Sequence, residues 1–249
     1  MSIMLLAVDI GNTNITFGLF RGKCIESTFN IPTCLYSIKK LKSNLKNNKI
    51  KETIVCSVVP RLTRRLSEDL KTIADKKPYI IGKSIKVPIK NLYRNPGQVG
   101  QDRLVNAFAA ISFYCAPAIV VDFGTAITFD IISKRKEYLG GMILPGLKIS
   151  LEALNKRTAL LPKVSLKKPN GFIGRDTRNS MLSGIIYGFS SLTDDLITRI
   201  KKRIGKDALA IATGGNINLI SKYCREIDKI DPFLTLKGLN RLYAMKKNT

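Results

Sequence analysis

One short motif occurs twice in the same setting, and it limits the folds open to this chain more than any other feature. An apolar run over residues 3–8 ends at Asp9 and is followed by Gly11-Asn12-Thr13. A second, over residues 118–121, ends at Asp122 and is followed by Gly124-Thr125-Ala126. The aspartates (9 and 122) stand 113 positions apart in a chain of 249 residues, close to half its length. A buried strand that stops at an Asp and turns through Gly and Thr gathers a carboxylate, a hydroxyl and free backbone N–H groups at one edge. Those are the groups a metal–polyphosphate needs. Two such edges facing each other would make a nucleotide cleft.

The surroundings of the motif repeat as well. Residues 14–20 alternate in the manner of a strand, Arg21-Gly22-Lys23 turns, and residues 24–31 return. In the second half, residues 126–132, a charged turn over 133–136, and a return over 137–144 through Gly140-Gly141 give a hairpin of the same scale. Helical spacing is read over 35–47 and over 61–74, where Leu62, Leu66, Leu70 and Ile73 share a face. Residues 52–58 read as a strand ended by Pro60, residues 79–81 as a short strand, and 82–101 as a loop region with Pro88, Pro96 and several glycines. Residues 102–113 and 146–160 read as helices, 162–169 as a basic loop and 180–203 as one long helix. A last strand over 208–212 meets Thr213-Gly214-Gly215. Strands followed by helices in each half predict an α/β fold with central sheets, divided near Ala116-Pro117 into residues 1–117 and 118–249.

Composition narrows the function classes. With 45% hydrophobic and 24% charged residues the chain can bury a core, and no apolar run approaches the ~20 residues of a membrane span. The N-terminal apolar run is too short for a signal-peptide core, so a cytoplasmic protein is expected. Five scattered cysteines and no histidine argue against a zinc site and for reduced thiols. The formal net charge of +24 points toward phosphates in general. The excess is mainly lysine spread along the chain, however. Tryptophan is absent and no basic run is interleaved with aromatics, so nucleic acid is not the expected partner.

Three segments carry chemistry. In Asp9-Ile10-Gly11-Asn12-Thr13, Gly11 permits a tight turn, Asn12 and Thr13 can donate to phosphate oxygens, and Asp9 can hold Mg²⁺. The same residues would serve a plain hairpin in which Asp caps the turn, and the duplication favours function. Asp122 ends a run too apolar to be solvated and needs a cation or several donors, with the Thr125 and Thr128 hydroxyls nearby. Gly100-Gln101-Asp102-Arg103 sets an acid beside a base where the loop meets a helix. Asp102 there is either a helix cap or, in a chain without histidine, the general base. The Arg103 guanidinium suits a carboxylate or phosphate.

Taken in order, these segments resemble the type III pantothenate kinases, in the superfamily of acetate kinase, sugar kinases, Hsp70 and actin. The resemblance rests on Asp9-Ile-Gly-Asn-Thr, Asn95-Pro96 leading to Gly100-x-Asp102-Arg103, Asp122-Phe-Gly-Thr125-Ala, Gly140-Gly141-x-Ile143-x-Pro145-Gly146 and Thr213-Gly-Gly. It implies two similar ribonuclease H-like halves of the actin-like ATPase fold. It implies ATP-dependent phosphorylation of pantothenate, the first step of coenzyme A synthesis, with Mg²⁺, a monovalent cation (K⁺ or NH₄⁺) and a homodimer whose active sites lie at the subunit interface. By position it assigns Asp9, Ile10, Gly11, Asn12, Thr13, Asn14, Ile15 and Thr16 to the phosphate loop and Thr125 to ATP. Asp102 becomes the base, and Tyr93, Gly100, Gln101, Asp102, Arg103 and Thr177 the pantothenate contacts. Asp122 takes the monovalent cation and Asp9 the Mg²⁺. Where the family usually reads Glu-Val-Gly-Ala-Asp-Arg this chain has Gln98-Val99-Gly100-Gln101-Asp102-Arg103, a change that bears on substrate affinity. The rival expectations are a kinase of the same superfamily with another acceptor and a non-catalytic transcriptional accessory or nucleic-acid-binding protein.

Overall fold

A computed structural model describes residues 4–46 and 48–247. Ile3 and Asn47, at the ends of an expected strand and an expected helix, lie outside the described residues. The chain runs through β1 (Met4–Ile10), β2 (Asn14–Arg21), β3 (Cys24–Pro32), α1 (Ile38–Leu45), β4 (Glu52–Ser57), α2 (Pro60–Ala74), β5 (Tyr79–Ile80), β6 (Lys90–Asn91) and α3 (Gln101–Phe113). It continues through β7 (Ala118–Phe123), β8 (Ala126–Ile132), β9 (Glu137–Pro145), α4 (Leu147–Arg157), α5 (Thr177–Ile204), β10 (Leu209–Thr213), α6 (Ile217–Ile220), β11 (Lys229–Ile230) and α7 (Leu234–Lys247).

Two compact units form. The first takes the described residues of Met1–Ile89, Arg94–Ser112 and Leu234–Thr249, the second Lys90–Tyr93 and Phe113–Phe233. An even cut at 117/118 separates the two sheets except for β6. The units alternate along the chain, because α7 returns to the first unit and residues 90–93 join the second. The expected loop over 82–101 thus contains a strand, β6, too short to leave a periodic signal. The run over 146–160 is helical only to Arg157, and the long helix starts three residues early, at Thr177.

The sheets share one topology. The first has the order β3-β2-β1-β4-β5, and the second repeats it as β9-β8-β7-β10-β11 with β6 added outside β9. In each, three strands form an antiparallel meander and the next two run parallel to the first strand. Parallel strands covered on both faces must be apolar on both, which is why β1 and β7 read as unbroken hydrophobic runs.

In the first unit, Met4, Leu6, Val8 and Ile10 pack with Leu41 and Leu45 of α1 and Leu66 and Leu70 of α2. The alternate residues Leu5 and Ala7 pack with Val105 and Phe108 of α3 and Leu236, Leu239 and Leu242 of α7. Burial of Leu234, Leu236, Leu239 and Leu242 to 2% exposure or less, at roughly 1.5–3 kcal/mol each, holds α7 on the first unit although it follows the second in sequence. In the second unit, Ile119, Val121 and Phe123 of β7 pack under α4 and α5. No helix among the described residues is long and apolar enough to cross a membrane.

Candidate active site

In both units an aspartate occupies the same place in the sheet. Side chains alternate along a strand, so Asp9 follows Leu5 and Ala7 onto the face that α3 and α7 cover. Its cross-strand partners are Thr16 on β2 and Cys56 on β4. Asp122 falls on the β7 face opposite Val121 and Phe123, with Thr128 of β8 and Thr213 of β10 as partners. An antiparallel neighbour thus sets a threonine beside each aspartate, and a parallel neighbour sets Cys56 beside one and Thr213 beside the other.

The loop after Asp9 is held by its own backbone. The Gly11 amide donates to the Asn14 carbonyl at 3.0 Å, the Thr33 amide to Thr13 O at 2.9 Å, and the Thr33 hydroxyl to Gly11 O at 2.8 Å. Asn12, Thr13 and Asn14 are exposed at the tip, and Thr16 is half-buried. Ile10 and Ile15 face each other across the hairpin and are fully buried in the core, so their side chains are absent from the loop surface. Any part they take in ligand binding falls to their backbone.

The start of α3 brings a second acid to the same edge of the first unit. Asp102 is largely buried, and its Oδ1 accepts the Arg103 amide at 2.9 Å. A Cβ on Gly100 would sit 2.4 Å from that oxygen, so the carboxylate folds back over a residue with no side chain. Burial pushes the Asp102 carboxyl above its usual value of 3.8, opposed by the Arg103 amide and charge. Arg103 is itself only 8% exposed. Cys56, fully buried, registers both acids: burial first, then Asp9, then Asp102 push its thiol well above the ordinary range, so it stays neutral. Asp9, the cross-strand neighbour of Cys56, and Asp102 therefore both lie within electrostatic reach of this thiol. The sequence showed the two acids but not Cys56, whose place depends on the register of a parallel pair.

In the second unit, two glycines wall the Asp122 carboxylate. A Cβ on Gly124 would meet its Oδ1 at 3.2 Å, and one on Gly214, whose φ of +98° favours glycine, at 2.3 Å. Asn216 ties the Gly-Gly loop to the β7–β8 turn, its amide donating to Phe123 O at 3.1 Å and its side chain to the same oxygen at 3.1 Å. Asn216 follows Gly214-Gly215 directly, the one sequence signal of its role. Thr125 is exposed in that turn. Tyr93 also belongs to this unit, with its amide on Asn91 Oδ1 at 3.0 Å and its ring against Gly140, whereas Gly100 to Arg103 belong to the first. Thr177 opens α5 and is exposed. Asp176 caps that helix by accepting the Asn179 amide at 2.9 Å, a bond that with the Asn179 side chain lowers its pKa.

A family model described as type III pantothenate kinase matches residues 5–199. The chain belongs to the type III pantothenate kinases. Proteins carrying that name from Syntrophus aciditrophicus and Moorella thermoacetica are 41% and 40% identical to it, each aligned over 99% of this chain and 100% of the relative. A Campylobacter jejuni structure described as a Baf family transcriptional activator superposes with a TM-score of 0.61 at 22% identity, covering 98% of this chain and 100% of that one. The activator of the 2-hydroxyisocaproyl-CoA dehydratase from Clostridium difficile, with bound ADPNP, gives 0.53 at 12% identity, covering 99% and 98%. At those identities the two structures establish the fold alone, that of the actin-like ATPases and sugar kinases. The type III kinase is thus an enzyme that phosphorylates pantothenate, its family implying ATP as the donor, and no finding favours the accessory-factor reading.

Among the described residues no three His, Cys, Asp or Glu side chains gather into a cluster able to hold a metal. A Mg²⁺ bound through one carboxylate, the rest of its shell being phosphate and water, asks for no such cage, and Asp9 fits that description. Asp122, walled by glycines and flanked by Thr128 and Thr213, offers oxygen donors of the kind a monovalent cation takes.

Proposed function

We propose that the phosphoryl transfer to pantothenate is run by Asp102 as base and by the Asp9–Thr16 loop as phosphate holder, with the Asp122 corner as cation site. The observation that carries this reading is the shared influence of Asp9 and Asp102 on Cys56. Asp9 is the cross-strand neighbour of Cys56, and that buried thiol also feels the charge of Asp102, which supports a phosphate-side and a proton-accepting carboxylate near one another.

The loop's contribution is positional. Its backbone amides and the exposed Asn12 and Thr13 side chains orient the phosphates in the geometry of in-line displacement, and most of the rate enhancement in phosphoryl transfer comes from such positioning. Mg²⁺ bound at Asp9 supplies neutralisation of the phosphate charge. Asp102 orients the primary hydroxyl of pantothenate and takes its proton, and its burial makes it a stronger acceptor than an exposed aspartate. Arg103 pairs with the pantothenate carboxylate, Gly100 leaves room for the chain, and Tyr93 and Thr177 complete the acceptor contacts. In the second unit Thr125 holds the nucleotide, and K⁺ or NH₄⁺ at Asp122 adds positive charge beside it.

We further propose a homodimer whose interface bears on the active sites. The apolar side chains of Leu139 and Ile143 on β9 and of Phe172 and Ile173 before α5 are 38%, 66%, 70% and 79% exposed, and a partner subunit would cover them. The five free cysteines suit a reducing cytoplasm.

A coupled assay of ADP release over a panel of acceptors tests the reading. Release that depends on pantothenate and rises with K⁺ is expected. Release indifferent to pantothenate but stimulated by another alcohol would remove the acceptor assignment.

A further inference from the structure

The first turn of α3 is anchored by a contact that involves neither acid. Residues 81–85 form a stiff turn after β5. Gly82 N donates to Ile85 O at 2.8 Å, Ser84 N to Ile80 O at 2.8 Å, and Ser84 Oγ accepts Ile80 N at 2.9 Å, while Ile81 N reaches Val55 O at 2.9 Å. Ile81 and Ile85 are buried in the same cluster as Val105 and Phe108 of α3. Gln101, Val105 and Phe108 follow the i, i+4, i+7 spacing of one helix face, so Gln101 is the polar end of the stripe that meets this turn. Its side chain lies across Gly82: a Cβ there would stand 2.9 Å from Gln101 Cδ, 3.0 Å from Oε1 and 3.3 Å from Cγ. Gly82 has a φ of +81°, a conformation that both suits glycine and presents its bare α-carbon to the glutamine.

We propose that Gln101 is a positioning residue, not a pantothenate contact: by packing on Gly82 it fixes the rotation of the first turn of α3 and so the direction of the adjacent Asp102 carboxylate. The arm is long enough to reach the turn and acts through packing, so its length matters more than its amide. Without this contact the buried Arg103 and Leu104 would still hold the helix, but its N-terminal residue would be free to fray, and the reacting carboxylate sits directly beside that residue. Gly82 and Gln101 are then a complementary pair, a missing side chain on one element and an extended one on the other.

Four variants test this: Gln101→Ala, Gln101→Met, Gly82→Ala and the double variant Gly82→Ala/Gln101→Ala, each assayed for kcat and for KM toward pantothenate. In Gln101→Ala, kcat is expected to fall about 10-fold or more, the scale that a small misplacement of a reacting group produces, with KM within about twofold of the parent. Gln101→Met, which keeps the length and loses the amide, is expected to restore most of kcat. Gly82→Ala is expected to lower kcat, and the added Gln101→Ala to cost less in that background than alone, because the collision is then relieved. A Gln101→Met enzyme as impaired as Gln101→Ala, with KM raised in both, would make Gln101 a direct substrate contact and overturn the proposal. Wild-type kcat in Gln101→Ala would overturn it equally. The inference rests on Asp102 as the base, so Asp102→Asn is assayed alongside. Near-normal turnover there brings down that assignment and the inference together, whereas an inactive Asp102→Asn with a fully active Gln101→Ala brings down the inference alone.

Discussion

At Asp102, the proposed base, folding and catalysis make opposite demands. A carboxylate this largely buried is costly to ionise, and the backbone bonds it accepts, that from Arg103 first, return only part of that cost. Its folded pKa lies above the unfolded value, so the folded state is favoured when the group carries a proton, and that advantage is lost as pH rises through the raised value. At neutral pH the ionised group is a net burden. Asp102→Asn, which keeps the acceptor for the Arg103 amide and removes the charge, should therefore melt higher than the parent at pH 7. An increase of about 2–4 °C corresponds to each 1 kcal/mol in a chain of this size. The difference should shrink as pH falls through the raised pKa of the parent, which thermal melts across the acid range will show. The matching strand positions of Asp9 and Asp122 were legible because each carboxylate ends an apolar run and is followed by a Gly-containing turn. Cys56 was not, because a thiol among Ile, Val and Ser looks like any other strand residue until the pairing of β1 with β4 sets it beside Asp9.

At the scale of elements, the turns at the strand ends have less freedom than the strands. The start of α4 packs against the β7–β8 turn so closely that a Cβ on Gly146 would fall 2.1 Å from the Thr125 carbonyl oxygen and 2.9 Å from that of Gly124. Gly146→Ala must push the helix away from the turn that carries Thr125. The expected result is a loss of about 1–3 kcal/mol in stability, as for other overpacked sites, and a KM for ATP raised several-fold, read from a denaturation curve and steady-state kinetics. An unchanged KM for ATP would detach Thr125 from the nucleotide. The hairpins, α2 and α5 were legible because alternation or helical spacing ran long enough to be unambiguous. The strand β6, two residues long, had no such run. The helix α7 was not anticipated, and its apolar positions make sense only against β1 and α3, which lie far back in the sequence.

For the whole molecule, the repeat that opened the sequence proved to be a repeat of topology: two sheets with the same strand order, each carrying its aspartate at the same strand end. The chain has made the copies unequal. One aspartate shares its edge with Cys56 and Asp102, the other with Thr128, Thr213 and two glycines. In the proposed function that asymmetry would supply both a proton acceptor and charge neutralisation, where two identical corners would supply only the second. The alternation of the units along the chain was beyond the sequence, because it depends on where α7 and residues 90–93 find packing partners. The most direct test is a phosphorus NMR record of the protein with ATP, Mg²⁺, K⁺ and pantothenate, run beside Asp102→Asn. A new phosphomonoester signal growing at the expense of the γ-phosphate in the wild type, and slowed by about 100-fold or more in a folded, ATP-binding Asp102→Asn, is the predicted result. The same signal growing at the same rate in both proteins would contradict the account.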